Sequence, residues 1–241
     1  MTTSTAPRST DLHERIRGVP RPTPVLSRER ERSLTARQRE LLDQLGGLFD
    51  AGFADLTMAA VARRLSCSLR TLYGLAPSRD DLVLLVIDRN LWRIGRLATG
   101  ALDAEVAPLP ALRAYLEAAN MAVAGTTAAF ARDLATVPAA QRLNDAHSDY
   151  IVTVARCLLD LAVERRDIEP VDTAAVARVM AGVGRDFARP EVLAVLHSSP
   201  QDAANSIVDV ILSGLRRPAR GERELSRGGR RGGERPSPAR R

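Results

Sequence analysis

The chain has 241 residues, of which 45% are hydrophobic and only 3% aromatic, and its net charge is +6. Its two cysteines, Cys67 and Cys157, show no metal-ligand spacing, and two thiols in a chain of this length do not suggest a disulfide framework. The length provides ample material for a core, which must be aliphatic, and the abundance of Ala and Leu favours helices.

The positive charge is concentrated at one end. Residues 216–241 hold ten Arg and three Glu, a net +7, and the rest of the chain sums to −1. The high isoelectric point therefore describes the tail and is no argument that the rest binds DNA. Residues 1–21 have no apolar signal segment, and the longest aliphatic stretch, 82–87, is too short to span a membrane. A soluble cytoplasmic protein without a membrane partner is expected.

Residues 1–33 are rich in Thr, Ser, Pro and Arg without an apolar period, and they predict a disordered arm. A capping box then predicts the first helix, with Thr35 as N-cap and Gln38 three residues later. Gly52 is predicted to end this helix. Its apolar stripe consists of Leu41, Leu42, Leu45, Leu48 and Phe49.

The next two predicted helices form a helix-turn-helix. Thr57 caps the first of them, Ser66 and Cys67 form the turn, and Ser68 caps a short second helix that ends near Gly74. The buried face of the first is expected to be Met58, Val61, Ala62 and Leu65, packed against Leu72. Ser78 and Asp81 form another capping box, which predicts a fourth helix from Arg79 to Leu97 or beyond.

Further helices are expected along the remainder, punctuated by prolines, and no segment alternates with a period of two. The fold class is therefore all-α. The boundaries are predicted at residues 1–33 for the arm, 34–92 for the helix-turn-helix domain, 93–216 for a helical C-terminal domain and 217–241 for a disordered basic tail. The later helices are predicted at 110–124, 127–136, 139–166, 172–187, 190–197 and 201–216.

The motif around the turn resembles the DNA-binding domain of the TetR family of transcriptional regulators over residues 35–90. The matching positions are Gly52-Phe53, Thr57, Ala62, Ser68, Thr71-Leu72-Tyr73, Ser78 and Asp80-Asp81-Leu82. The resemblance implies binding to double-stranded DNA, a C-terminal domain that holds a small-molecule effector, and a homodimer formed through the helices at 172–187 and 201–216.

Four positions depart from the family pattern. Ser66 stands where a turn glycine is usual, and serine tolerates a left-handed conformation less well. Gly74 and Ala76 replace usual aromatic residues, so a less rigid junction with the fourth helix is expected. Arg79 replaces lysine, which keeps the charge and changes the geometry of a phosphate contact.

The outward residues of the short second helix are the candidates for reading DNA. Arg70 suits a bidentate contact with guanine O6 and N7, and Leu69 suits a thymine methyl group. Thr71 suits a phosphate or a thymine methyl group, and the hydroxyl of Tyr73 a phosphate. The full predicted set is Thr57, Ser68, Leu69, Arg70, Thr71, Tyr73 and Arg79, with Thr57 and Arg79 placed at helix starts where phosphates bind.

An effector pocket is predicted on the helix at 139–166. His147, Ile151 and Val154 lie on one face with Tyr150 beside His147, so they are the candidate lining. The alternative, which the residues alone favour, is that they are ordinary partly buried positions. Few charges cluster in this region, so the expected effector is apolar.

The predicted function is a sequence-specific regulator, a repressor released from a palindromic operator by its effector. An enzyme is not expected, because the chain has no glycine-rich phosphate loop, metal-ligand cluster or paired nucleophile and base. No cofactor, metal site or catalytic residue is therefore predicted. The alternative is an architectural or partner-binding protein that keeps the fold without operator or effector recognition.

Cys67 is interpreted as a small buried residue rather than a redox switch. The basic tail either adds affinity for nucleic acid or has no function.

Overall fold

Helices are the regular elements of the computed structural model, which describes residues 10–103 and 106–215, without the side chains of Thr10, Asp11 and His13. The predicted all-α class is confirmed, and no strand occurs within those residues. The predicted tail at 217–241 and the first nine residues of the predicted arm lie outside them. The helices are α1 (Thr10–Arg17), α2 (Arg28–Ser33), α3 (Ala36–Asp50), α4 (Met58–Arg64), α5 (Leu69–Tyr73), α6 (Arg79–Gly100), α7 (Pro108–Asn120), α8 (Ala128–Ala135), α9 (Pro138–Glu164), α10 (Thr173–Phe187), α11 (Pro190–Leu193) and α12 (Pro200–Leu215), with a 3-10 turn at Met121–Val123.

The predicted caps of the first domain are confirmed. Thr35 and Gln38 form a complete capping box at α3, and Gly52 follows that helix with a φ of 99°. Thr57, Ser68 and Ser78 each accept a hydrogen bond from the backbone N–H three residues on. At α6 the box is altered, because the carboxylate of Asp81 accepts from the Ser78 hydroxyl.

Two apolar cores hold the molecule together, and α6 takes part in both. Its first half, including Leu82 and Val83, packs with α3, α4 and α5, whereas Ala98 packs with α1, α7, α9, α10 and α12. The predicted domain boundary at residue 92 therefore falls inside a continuous helix. None of the described helices is both long and apolar enough to cross a membrane.

The prediction that residues 1–33 form a disordered arm is wrong for residues 10–33. Leu12 and Ile16 on α1, together with Val19, are 2%, 4% and 7% exposed, and they belong to the C-terminal core. The Arg15 side chain pairs with Glu164 at the end of α9. These apolar residues recur at i, i+4 and i+7, a short helical stripe that the polar composition of the segment concealed.

The same segment then crosses to the first domain. The backbone N–H of Val25 donates to Asp88 on α6 at 2.9 Å, and Leu34, just after α2, is buried in the first core. Glu31 on α2 pairs with Arg89. We call residues 10–34 the strap, since they touch both cores.

The C-terminal helices follow the predicted order, with shorter ends in two places. The helix predicted at 110–124 ends at Asn120 and continues as the 3-10 turn, and the helix predicted at 190–197 ends at Leu193. Helix α9 packs between α7 and α10, and α12 packs on α7 and α10.

Two glycines on α10 are expected to respond oppositely to alanine. A Cβ at Gly184 would lie 2.6 Å from Asn120 Oδ1, whereas a Cβ at Gly182 would meet nothing within 4 Å. Gly184→Ala should destabilise the protein by about 1–2 kcal/mol, because Asn120 must leave its hydrogen bond with Asn205. Gly182→Ala should stabilise it by up to about 1 kcal/mol through helix propensity. Urea unfolding at one protein concentration checks both, and equal effects of the two substitutions would contradict the packing described.

Candidate functional site

Helix α5 is anchored by one side and exposed on the other. Leu72 is completely buried, whereas Leu69 and Tyr73 are 42% and 54% exposed and Arg70 is also exposed. The Ser68 hydroxyl accepts from Thr71 N–H and lies 2.8 Å from the Thr71 hydroxyl. The predicted residues Ser68, Leu69, Arg70, Thr71 and Tyr73 thus share one short helix, with Thr71 partly covered by its cap.

The turn before α5 keeps its left-handed geometry without glycine. Ser66 has a φ of 49°, and the N–H of Cys67 donates to Ala62 O at 3.0 Å, which closes the end of α4. Serine in this conformation carries a backbone penalty that glycine would avoid. The angle between α4 and α5 is fixed by this turn and by the buried pair Ala62 and Leu72.

The junction between α5 and α6 is packed. Leu75 and Ala76 are both buried, and Arg30 of α2 donates to the carbonyl of Gly74. The expected loss of rigidity at Gly74 and Ala76 is therefore offset by a residue of the strap. No family pattern would have pointed to Arg30.

The two predicted phosphate contacts at helix starts differ in availability. Thr57 uses its side-chain oxygen as the N-cap of α4 and is exposed. The guanidinium of Arg79 pairs with Asp80 at 2.7 Å and donates to Ala54 O at 2.6 Å. A phosphate at Arg79 would have to compete with both partners, so this residue primarily fixes the loop before α4.

A cavity with a volume of about 570 Å³ lies between the two cores. Of the four predicted pocket residues, His147 and Ile151 line it. Val154 is completely buried in the C-terminal core, and Tyr150 lines a second cavity of about 240 Å³ together with His147. The prediction of one shared lining is wrong, because α9 leaves the cavity and enters the core within two turns after His147.

No family model matches the sequence, and no curated protein matches it either. Solved structures do match. A TetR family transcriptional regulator, PfmR from Thermus thermophilus, aligns over 73% of this chain and 99% of its own at 22% identity and a TM-score of 0.55. A regulatory protein of the same family from Rhodococcus aligns over 77% and 100% at 18% identity and a TM-score of 0.60. The ketosteroid transcriptional regulator KstR2 of Mycobacterium tuberculosis aligns over 77% and 98% at 18% identity and a TM-score of 0.55.

The chain has the TetR fold. Since each neighbour is covered almost entirely while about a quarter of this chain stays outside the alignment, this TetR fold carries additional segments. All three neighbours are described as regulatory proteins. Within the described residues of this TetR-type chain, no group of three or more His, Cys, Asp or Glu side chains is placed to hold a metal ion.

Two arginines beside the turn were missed by the sequence reasoning. Arg63 and Arg64 occupy the last turn of α4, are exposed, and form no ion pair with another described residue. They precede the turn in the chain, and Arg70 follows it. The signal available in the sequence was a pair of adjacent arginines just before the turn of the helix-turn-helix.

Helix α8 connects the cavity to the loop before α4. Its residues Phe130 and Leu134 line the cavity, and the carboxylate of Asp133 accepts from Phe53 N–H and, at 2.8 Å, from Ala54 N–H. Thr127, the N-cap of α8, donates to the carbonyl of Asp50. This attachment was not predicted, because it joins residues about eighty positions apart.

Cys67 is expected to react slowly with alkylating reagents. Burial raises the pKa of its thiol, with Arg37 acting in the opposite direction to a smaller extent. A raised pKa leaves less thiolate at any given pH, so iodoacetamide at pH 8 should modify Cys67 more slowly than a cysteine in a short peptide. Mass spectrometry of peptides over time checks this. A rate above that of the peptide would instead support the redox-switch alternative.

Proposed function

We propose that this chain is a homodimeric, sequence-specific DNA-binding transcriptional regulator without catalytic activity, and that it acts as a repressor released from a palindromic operator by a small apolar effector. The observation that carries this is α5, which keeps Leu72 buried while Leu69, Arg70 and Tyr73 project outward. A helix presented in this way fits the major groove, where an exposed arginine can bind guanine.

Apolar residues on the last helices support a dimer. Val179 on α10 is 56% exposed, and Ile207 and Val210 on α12 are 38% and 69% exposed, although these helices also contribute Met180 and Val208 to the core. Apolar residues that protrude together from two adjacent helices are suited to an interface with a second copy. A dimer would place two α5 helices on successive major grooves, roughly 34 Å apart.

Helix α8 supports a route from effector to operator. A ligand that displaces Phe130 or Leu134 would move Asp133 with them, and Asp133 holds the loop that begins the helix-turn-helix. The two α5 helices of a dimer would then shift apart or together. An effector that prefers this shifted state depletes the DNA-binding state by population shift.

The test is selection from a random duplex library at physiological salt, with the full chain and with residues 1–215. The proposal predicts the same palindromic motif from both proteins. A motif that depends on the tail, or no enriched motif at all, would contradict it. The tail alone would give binding with steep salt dependence and no sequence preference.

The second candidate is an architectural or partner-binding protein. The near-neutral charge of the chain outside the tail favours the partner-binding form, since non-specific DNA binding by those residues would gain little from net charge. Selection separates the two, because an architectural protein enriches no defined sequence.

A further inference from the structure

Three polar side chains meet in the apolar interior between α6 and α9. Asp88 and His147 are 4% and 8% exposed, and Asp88 Oδ1 lies 3.5 Å from His147 Nε2. Trp92 stands one helical turn after Asp88, and its ring contacts the His147 ring edge-on with centroids 5.7 Å apart. We call Asp88, Trp92 and His147 the polar cluster.

The members of the polar cluster do not satisfy one another's hydrogen-bonding groups. Asp88 Oδ1, Trp92 Nε1 and His147 Nε2 are each buried without a hydrogen-bond partner. Buried polar atoms are normally paired, so three unpaired atoms on touching side chains are available to a bound ligand. The other carboxylate oxygen of Asp88 is occupied by Val25 N–H at 2.9 Å, so the deficiency lies on the side that faces His147.

Two members of the polar cluster line the cavities, whereas Asp88 lines neither of them. His147 lines the larger cavity and the smaller one, and Trp92 lines the smaller. The larger volume, about 570 Å³, lies in the range of small-molecule sites. A ligand can therefore place its apolar portion in a cavity and its polar group at the polar cluster.

The charges on the larger cavity do not suit a buried anionic ligand. Arg185 pairs with Asp145 at 2.7 Å and Arg189 pairs with Glu191 at 2.5 Å, and all four residues are exposed. These ion pairs are exposed to water. The buried polar residues on the wall of the larger cavity are Asn120 and His147. Because both arginines of this wall are already paired, a buried anion would find no free cation there, whereas a neutral ligand needs none.

We propose that the polar cluster binds the hydroxyl group of a neutral, otherwise apolar effector, an inference that rests on the effector-controlled regulator proposed above. A hydroxyl both donates and accepts, so it can donate to Asp88 Oδ1 and accept from Trp92 Nε1. A carboxylate only accepts and adds negative charge beside Asp88. An ester only accepts and leaves Asp88 unpaired, whereas an ammonium only donates and leaves Trp92 unpaired.

Entry of the hydroxyl requires the His147 ring to turn away from Asp88. Their 3.5 Å separation is longer than the usual hydrogen bond, so this contact gives little resistance. The half-buried Trp92 forms the adjoining wall of the smaller cavity. Ligand binding thus replaces the long contact between Asp88 and His147 with two hydrogen bonds, one from the hydroxyl to Asp88 and one from Trp92 to the hydroxyl.

The experiment uses the full chain and four probes with the same ten-carbon tail: 1-decanol, decanoate, decylamine and methyl decanoate. Trp92 is the only tryptophan, so its fluorescence reports directly on the cluster. The proposal predicts that 1-decanol binds at least about tenfold more tightly than each of the others, since one buried partner is left unmet in every other case. Equal or tighter binding of any other probe, or no binding of 1-decanol, would overturn it.

Asp88→Asn gives the sharper comparison. An asparagine can keep an oxygen on Val25 N–H and turn its NH₂ donor toward the cluster, so methyl decanoate should now bind at least as tightly as 1-decanol. Ser148→Ala, on the cavity wall outside the cluster, should keep the preference for the alcohol. Retention of that preference in Asp88→Asn would overturn the proposal.

A second variant guards against a folding defect in Asp88→Asn. Trp92→Phe, followed by calorimetry, should weaken 1-decanol severalfold and leave decylamine unchanged, because only the alcohol accepts from the indole. An equal loss for both probes would overturn the assignment. These binding results do not depend on DNA, so failure to recover an operator would overturn the proposed function and leave the ligand preference as a separate result.

Discussion

Replacing Leu12 and Ile16 together with alanine is expected to lower the free energy of unfolding by about 4 kcal/mol or more, since each buried aliphatic truncation costs about 2–5 kcal/mol. Both side chains are almost fully buried against the C-terminal core, at 2% and 4% exposure. Urea unfolding at fixed protein concentration, followed by circular dichroism, measures the change.

Val25→Ala is the matched control for this double substitution. Val25 lies on the same strap, is 45% exposed, and keeps the backbone N–H that donates to Asp88. Its truncation should change stability by less than about 0.5 kcal/mol. A double variant as stable as this control would mean that α1 is not part of the core.

Removing the carboxylate of Asp133 is expected to cost about 2–3 kcal/mol of stability. Asp133→Ala leaves the N–H groups of Phe53 and Ala54 without their acceptor, and hydrogen bonds to a charged group are the stronger kind. The same loss frees the loop before α4 from α8, so operator affinity should fall as well. Chemical unfolding and operator titration measure the two effects.

Asp149→Ala provides the comparison for Asp133. Asp149 pairs with Arg178 across an exposed surface, where both side chains are more than half accessible. Exposed ion pairs contribute at most about 1 kcal/mol, so this variant should be close to the parent protein. Equal losses for Asp133→Ala and Asp149→Ala would show that α8 does not hold the loop.

The helix-turn-helix could be predicted because its signals are local. Thr57, Ser68 and Ser78 cap their helices through hydrogen bonds to residues three positions on, and Gly52 ends α3 with a positive φ. Such contacts depend on a handful of neighbouring residues. The exposed and buried sides of α5 followed from the same pattern.

The strap was missed because its signal is short. Three apolar residues within a polar segment are too few to stand out, and α1 has only eight residues. A helix of this length is marginal alone and is held by packing on α9. That partner is remote in the sequence, so the segment resembled a disordered arm.

The cavity could be predicted only in part for a related reason. The helical period correctly placed His147 and Ile151 on one face of α9, yet it could not show where α9 enters the core and buries Val154. The helical period also could not predict that Asp88 of α6 lies opposite His147 of α9. Contacts between helices depend on crossing angles that side-chain packing sets in the folded chain.

Base reading by α5 is tested by comparing Arg70→Ala with Arg63→Ala on a panel of single-base variants of the selected operator. If α5 reads bases, Arg70→Ala should lose about 1–3 kcal/mol of binding on the parent operator and cease to discriminate at one position of each half-site. Arg63→Ala should weaken all operators alike and reduce the salt dependence. Uniform weakening by Arg70→Ala, with discrimination intact at every position, would contradict the claim that this chain reads an operator through α5.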